Sequence, residues 1–127
     1  MSTRRSLLGM ARLCLLLTSL AGCGSGPPPS FPLDSQLAVA SVEKAMQAWV
    51  DGQQPKDLQP DIIIGDVEWG SGKKLVSFEI LTKDQTSDGS NLHIPVKRKL
   101  NSKGKISEST VAYVVGTSPQ VTIFPQE

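Results

Sequence analysis

Asp66 and Glu68 stand two residues apart. On an extended chain both carboxylates then point to one side, and Glu79 falls nearby if the segments around it pair. Three such acids on one face would bind a cation, or raise one carboxyl's pKa for acid–base work. Nothing in the spacing closes a coordination shell, and a solvated outer face whose charges discourage stacking accounts for the same residues. His93 is the single histidine. As a general base it lacks a Ser-His-Asp order or a second metal-binding His, so a position on a strand surface is the simpler expectation. Lys97, Arg98 and Lys99, with Lys103 and Lys105, gather positive charge around one hairpin. Such a tip suits anionic headgroups or an anionic envelope polymer, and equally a solvated hairpin whose lysines oppose edge pairing. Gly70-Ser71-Gly72-Lys73 lacks the spacing of a phosphate loop and precedes a strand instead of a helix. No cofactor motif and no metal-ligand spacing is legible, and Trp49, Trp69, Phe78, Tyr113 and Phe124 would either line a small pocket or fill the core.

The elements that must position these residues begin with a helix. Asp34 or Ser35 supplies a short oxygen side chain for its first turn. Ala38, Val42, Ala45 and Trp49 then recur at steps of four, three and four, with Met46 and Val50 widening the stripe, which predicts an amphipathic helix of about four turns ending near Gly52. After Pro60 the period becomes two. Asp61 to Trp69 and Leu75 to Thr82 flank the glycine-containing loop and predict a hairpin, in which Phe78 would cover the gap at Gly65. Asn91 to Leu100 alternates Leu92, Ile94 and Val96 with polar residues, and Pro95 predicts an edge strand or a bulge there. Ile106 to Val115 follows, and Val121 to Phe124 is either a fifth strand or a bent continuation of the fourth. The expected class is α+β: one N-terminal amphipathic helix packed on a four- to five-stranded antiparallel sheet. The element order is similar to cystatin-like and NTF2-like arrangements, which implies a curved sheet around a helix and leaves function open.

The chain has 127 residues, 13 Lys plus Arg, 12 Asp plus Glu and two cysteines. Arg4, Arg5 and Arg12 precede or interrupt an apolar run whose unbroken part, Leu13 to Leu20, is far short of the ~20 residues a membrane-spanning helix needs. The run closes in Leu20-Ala21-Gly22-Cys23, which resembles the lipobox of bacterial lipoproteins. The resemblance implies cleavage before Cys23, diacylglycerol on its sulfur and further acylation of the new amino group. It also implies a lipid bilayer as partner and a place outside the cytoplasm. Gly24 after the cysteine favours the outer over the inner membrane where the envelope has two.

The resulting division is a signal peptide over 1–22, a lipidated Cys and Gly/Pro-rich tether over 23–33, and a small α+β domain over 34–127. Residues 1–22 hold three arginines, no acid and Cys14, so processing leaves ten basic against twelve acidic groups and Cys23 as the single cysteine. A disulfide and cysteine catalysis are thereby excluded, and the formal charge of -2 makes nucleic acid an unsuitable partner. With no catalytic set legible, the expected function is a non-enzymatic binding or assembly domain held at a membrane, with an envelope protein or anionic polymer as partner. The alternative is a small ligand-binding or enzymatic pocket within the sheet's concavity.

Overall fold

The computed structural model describes residues 32–126. Helix α1 spans Ser35–Val50. Asp34 is its cap: the extended backbone there lets the carboxylate accept the Leu37 N–H at 3.0 Å. One face of the helix, Ala38, Val42, Ala45, Met46 and Trp49, is buried, so the stripe read from the sequence is the packing face. Burying Val42 and Met46 fully contributes roughly 1.5–3 kcal/mol each. Gly52, with φ of 87°, takes the left-handed conformation that ends the segment. A 3-10 turn over Pro55–Leu58 then leads to strand β1, Ile62–Ile64.

The α+β class expected from the sequence is the class observed. The sheet has six strands and one parallel pair: β1 lies beside β6 (Val121–Pro125), β6 beside β5 (Lys105–Gly116), β5 beside β4 (Leu92–Ser102), and β4 beside β2 (Lys74–Ile80). The two-residue β3, Thr86–Ser87, also pairs with β4. Helix α1 packs on β2, β4, β5 and β6 from one side. The inward row of β4 is Leu92, Ile94, Val96, Arg98 and Leu100.

The expected hairpin between Asp61–Trp69 and Leu75–Thr82 does not form. Ile62–Ile64 pairs in parallel with Val121–Ile123, while β2 pairs antiparallel with β4. The local cause lies at Asp66. Its carboxylate accepts the N–H groups of Glu68 and Trp69, at 3.0 and 3.3 Å, and so starts a four-residue helix α2, Val67–Gly70, where a strand was expected. The ring that covers Gly65 belongs to Phe124 on β6, not to Phe78: a Cβ on Gly65 would lie 2.4 Å from its carbons.

Pro95 sits mid-sheet, between β5 and the β2/β3 edge. Its carbonyl accepts from Leu81 N, so its missing N–H faces that same edge, and there the partner strand breaks into a 3-10 turn, Thr82–Asp84, between β2 and β3. The interruption expected from Pro95 is thus placed on its partner's side. At the start of the described chain, Asp34 N donates to Thr117 Oγ1 (2.9 Å), and Thr117 Oγ1 donates to the Pro32 carbonyl (3.5 Å). These bonds tie the domain's point of entry to the β5–β6 loop.

Candidate functional site

Arg98 continues the apolar row of β4 and is 2% exposed. Across the sheet it faces Ser109 on β5 and Phe78 on β2. A guanidinium in that row needs acceptors, and α2 delivers them. Arg98 Nη2 donates to Glu68 Oε1 at 2.5 Å and to Ser109 Oγ at 3.2 Å. Arg98 Nη1 donates to the Tyr113 hydroxyl at 3.1 Å and lies 3.4 Å from Asp66 Oδ2. The Tyr113 hydroxyl in turn donates to Asp66 Oδ2 at 2.5 Å. Asp66 therefore caps α2 with one oxygen and holds Tyr113 and Arg98 with the other. Lys73 Nζ closes the outer side of the network 3.1 Å from Glu68 Oε2.

Two indoles complete the surroundings. Trp49 from α1 and Trp69 from α2 stack nearly parallel, centroids 5.1 Å apart, and Arg98 Cζ lies 5.8 Å from the Trp49 ring centre. Each indole N–H ends on a loop carbonyl at 2.8 Å, Trp49 on Lys73 and Trp69 on Gln53. One donor is left over: Arg98 Nε is buried without a hydrogen-bond partner.

The electrostatics follow from this geometry. Hydrogen bonding to Arg98 holds the Glu68 carboxyl below its usual value against the opposing effect of burial. Burial first, and then the Asp66 carboxylate, push the Tyr113 phenol well above its ordinary range, so at neutral pH it acts as a donor and not as a base. Asp66, Glu68, Arg98 and Tyr113 are thus bonded to one another, with Ser109 and Lys73 at the margins, and fix α2 to β4 and β5.

Several sequence expectations are corrected here. Asp66 and Glu68 do come together, but on a capped helical turn around an arginine, and Asp66 is 5% exposed where a solvated face was one expectation. Glu79 stays apart on the exposed face of β2, registered opposite Lys97. The three acids do not converge. Among the described residues no group of three or more His, Cys, Asp or Glu side chains converges as a metal-binding set. Arg98 is removed from the basic surface, whereas Lys97 is exposed and Lys99 half-buried. Lys97, Lys99, Glu79 and Glu108 border an open depression of about 170 Å³, where the charges alternate in sign.

His93 lies on the strand surface, as the simpler expectation had it. Its Nε2 is 2.8 Å from Asp88 Oδ2 and its Nδ1 is 3.3 Å from Gln126 Oε1. The His93 contact, helped by the Asn91 and Ser90 N–H groups, brings the Asp88 carboxyl down to about 2, while Asp88 and Gln126 raise the His93 pKa. The arrangement pins the β3–β4 turn to the C-terminal strand. Cys23, the lipidation candidate, lies outside the described residues.

Tyr113 and Ser109 belong to the arginine network yet had no such role in the sequence reading. The available signal was parity: residues 92, 94, 96, 98 and 100 share one face of a strand, so Arg98 had to be buried and to require acceptors from the neighbouring strand. The chain matches no protein-family model, no curated protein and no solved structure. Among the described residues no helix is long and apolar enough to cross a membrane.

Proposed function

We propose that this chain is an envelope lipoprotein, anchored outside the cytoplasm through acylated Cys23, whose α+β domain binds or assembles with an envelope component and does not turn over a substrate. The observation that supports the domain's role is the fate of the candidate acid–base pair Asp66 and Glu68, which Arg98 and Tyr113 tie into a brace between α2 and the sheet. A general acid or base needs a free face toward substrate, whereas the Asp66 side chain is 2% exposed and the half-exposed Glu68 has both oxygens engaged, one by Arg98 and one by Lys73. The anchor is supported by Leu20-Ala21-Gly22-Cys23 after its short apolar run. Two or three acyl chains hold a protein stably where one gives only marginal binding. In an envelope with two membranes, Gly24 favours the outer one.

Cell fractionation of Cys23→Ser tests the anchor. The wild type partitions with membranes and resists high-salt extraction, whereas Cys23→Ser is released to the soluble extracytoplasmic fraction. Full retention of Cys23→Ser in the membrane fraction overturns the anchoring.

A further inference from the structure

Charge is unevenly distributed along the long axis of the domain. Strand β5 runs twelve residues from Lys105 to Gly116, roughly 35 Å at strand rise, and α1 runs the opposite way, its Asp34 end bonded to Thr117 and its Trp49 end to Lys73. At the Gly116 end lie the entry point, Pro32 and Asp34 bonded to Thr117, and the acids Asp61, Asp84 and Asp88 beside Lys83. At the other end Lys74 pairs with Asn101, Lys105 pairs with Ser102, and Lys103 forms the turn between β4 and β5, with Asp51 the acid that shares a depression with Lys74 and Asn101. Among the described residues no carboxylate comes within 4 Å of these three lysines. By contrast the Lys73 charge is already engaged by Glu68, and Arg98 is spent inside.

The turn itself is costly. Lys103 has φ of 53° and Gly104 of 84°, the conformation of a two-residue hairpin turn in which Asn, Asp or Gly normally takes the first place. Lys has no short side chain to compensate the left-handed backbone, so an exposed charge stands where an asparagine would be more stable. Strain of this kind concentrates at functional positions. Beyond Tyr113 the ribbon also runs past β6 and protrudes from the sheet on that side.

We propose that this tip, Lys74, Lys103 and Lys105, docks a polyanionic glycan of the cell envelope on the side of the domain away from its anchoring bilayer. The inference rests on the anchored reading above and names its partner class. The tip stands at the opposite end of β5 from the point where the tether joins at Asp34, ~35 Å along the strand and several Debye lengths from it at physiological ionic strength, which disfavours the anchor's own headgroups. Chemistry argues against a folded protein. Lys is depleted from protein–protein interface cores and aromatics are enriched, whereas among the described residues the exposed large apolar side chains near the tip are Val76 and Ile106, neither of them aromatic. Repeated weak ionic contacts along a polymer need no apolar centre.

The test uses the full chain reconstituted in neutral phosphatidylcholine vesicles, with labelled polygalacturonate as probe and uncharged dextran as control. Binding of the polygalacturonate falls with added salt, and Lys103→Asn/Lys105→Ser weakens it roughly tenfold or more at low salt. Lys103→Asn relieves the turn, so the loss of binding comes without loss of folding, read as an unchanged or raised melting temperature. Lys83→Glu at the opposite end leaves binding unchanged. Polygalacturonate binding that survives the double substitution overturns the proposal. So does preferential binding of phosphatidylglycerol vesicles through the same lysines, or of an acidic protein such as polyglutamate-tagged carrier over the glycan. Cys23→Ser keeps the tip intact, so it retains polymer binding in solution, which separates failure of the anchor from failure of the tip.

Discussion

Arg98 concentrates the cost and the benefit of burying charge. Desolvating a guanidinium and a carboxylate costs several kcal/mol per ion, and the geometry offsets this through four donated contacts and the stack beneath. Removing Arg98 leaves the buried Asp66 without its cationic partner. Arg98→Met is therefore expected to cost about 3–5 kcal/mol in denaturant unfolding at neutral pH, and Tyr113→Phe about 1–3 kcal/mol. Glu68→Gln, at a site with 37% side-chain exposure, is expected to cost only about 1 kcal/mol. An Arg98→Met cost comparable to that of Glu68→Gln would mean that the network does not brace α2. The surface pair behaves differently. His93 has a folded pKa above its ordinary 6.5, so its contribution is complete below that value and fades as pH rises through the folded pKa. Asp88, at about 2 against an ordinary 3.8, contributes above 3.8 and loses it as pH falls through about 2. The two windows overlap in mildly acidic solution. The stability difference between wild type and His93→Gln should accordingly be larger near about pH 5 than near about pH 9, and small throughout because both side chains are solvated. A difference that grows toward alkaline pH would contradict the assignment of the pair.

Helix α1 and its cap illustrate what a local signal can specify. Asp34 and Ser35 were both candidate caps, and the structure chooses Asp34, whose carboxylate accepts the Leu37 N–H. Asp34→Ala is expected to lose about 0.5–2 kcal/mol and Ser35→Ala under about 0.5 kcal/mol, read as melting-temperature shifts in circular dichroism. Equal shifts would show that the cap bond contributes nothing. The helix was legible because its apolar period and its cap sit within one stretch of chain. The β4–β5 hairpin was legible for the same reason, its turn marked by Asn101 to Lys105. Strand β1 was not. Ile62–Ile64 satisfies its backbone against Val121–Ile123, nearly sixty residues away, and no local period encodes a parallel partner. Asp66 was misread because an aspartate two residues before a glutamate fits a strand face and a helix cap equally, and nothing local shows that Arg98 arrives from β4 at its second oxygen. The buried site was thus half-written in the sequence: the parity of Arg98 was visible, and the identity of its acceptors depended on tertiary contacts.

At the scale of the whole molecule the core is continuous from α1 through every long strand, and its largest buried side chains include Trp69, Arg98 and Tyr113 from three different elements. Both cysteines lie in the first 23 residues, so no disulfide bears on residues 32–126. Stability must come from burial and from the network alone, which for a single domain of this size predicts one cooperative transition. Trp49 and Trp69 supply an internal probe, because stacked indoles 5.1 Å apart couple optically only while α1 and α2 are both docked. Thermal unfolding followed by the near-ultraviolet dichroism of this pair should coincide with the loss of far-ultraviolet signal, and a reductant should shift neither curve. Arg98→Met should lower both curves together. If the indole signal instead disappears well before the far-ultraviolet signal, α2 is a separately melting unit. The Asp66–Arg98 brace would then be a local clasp with its own stability and not a cross-link of the entire core.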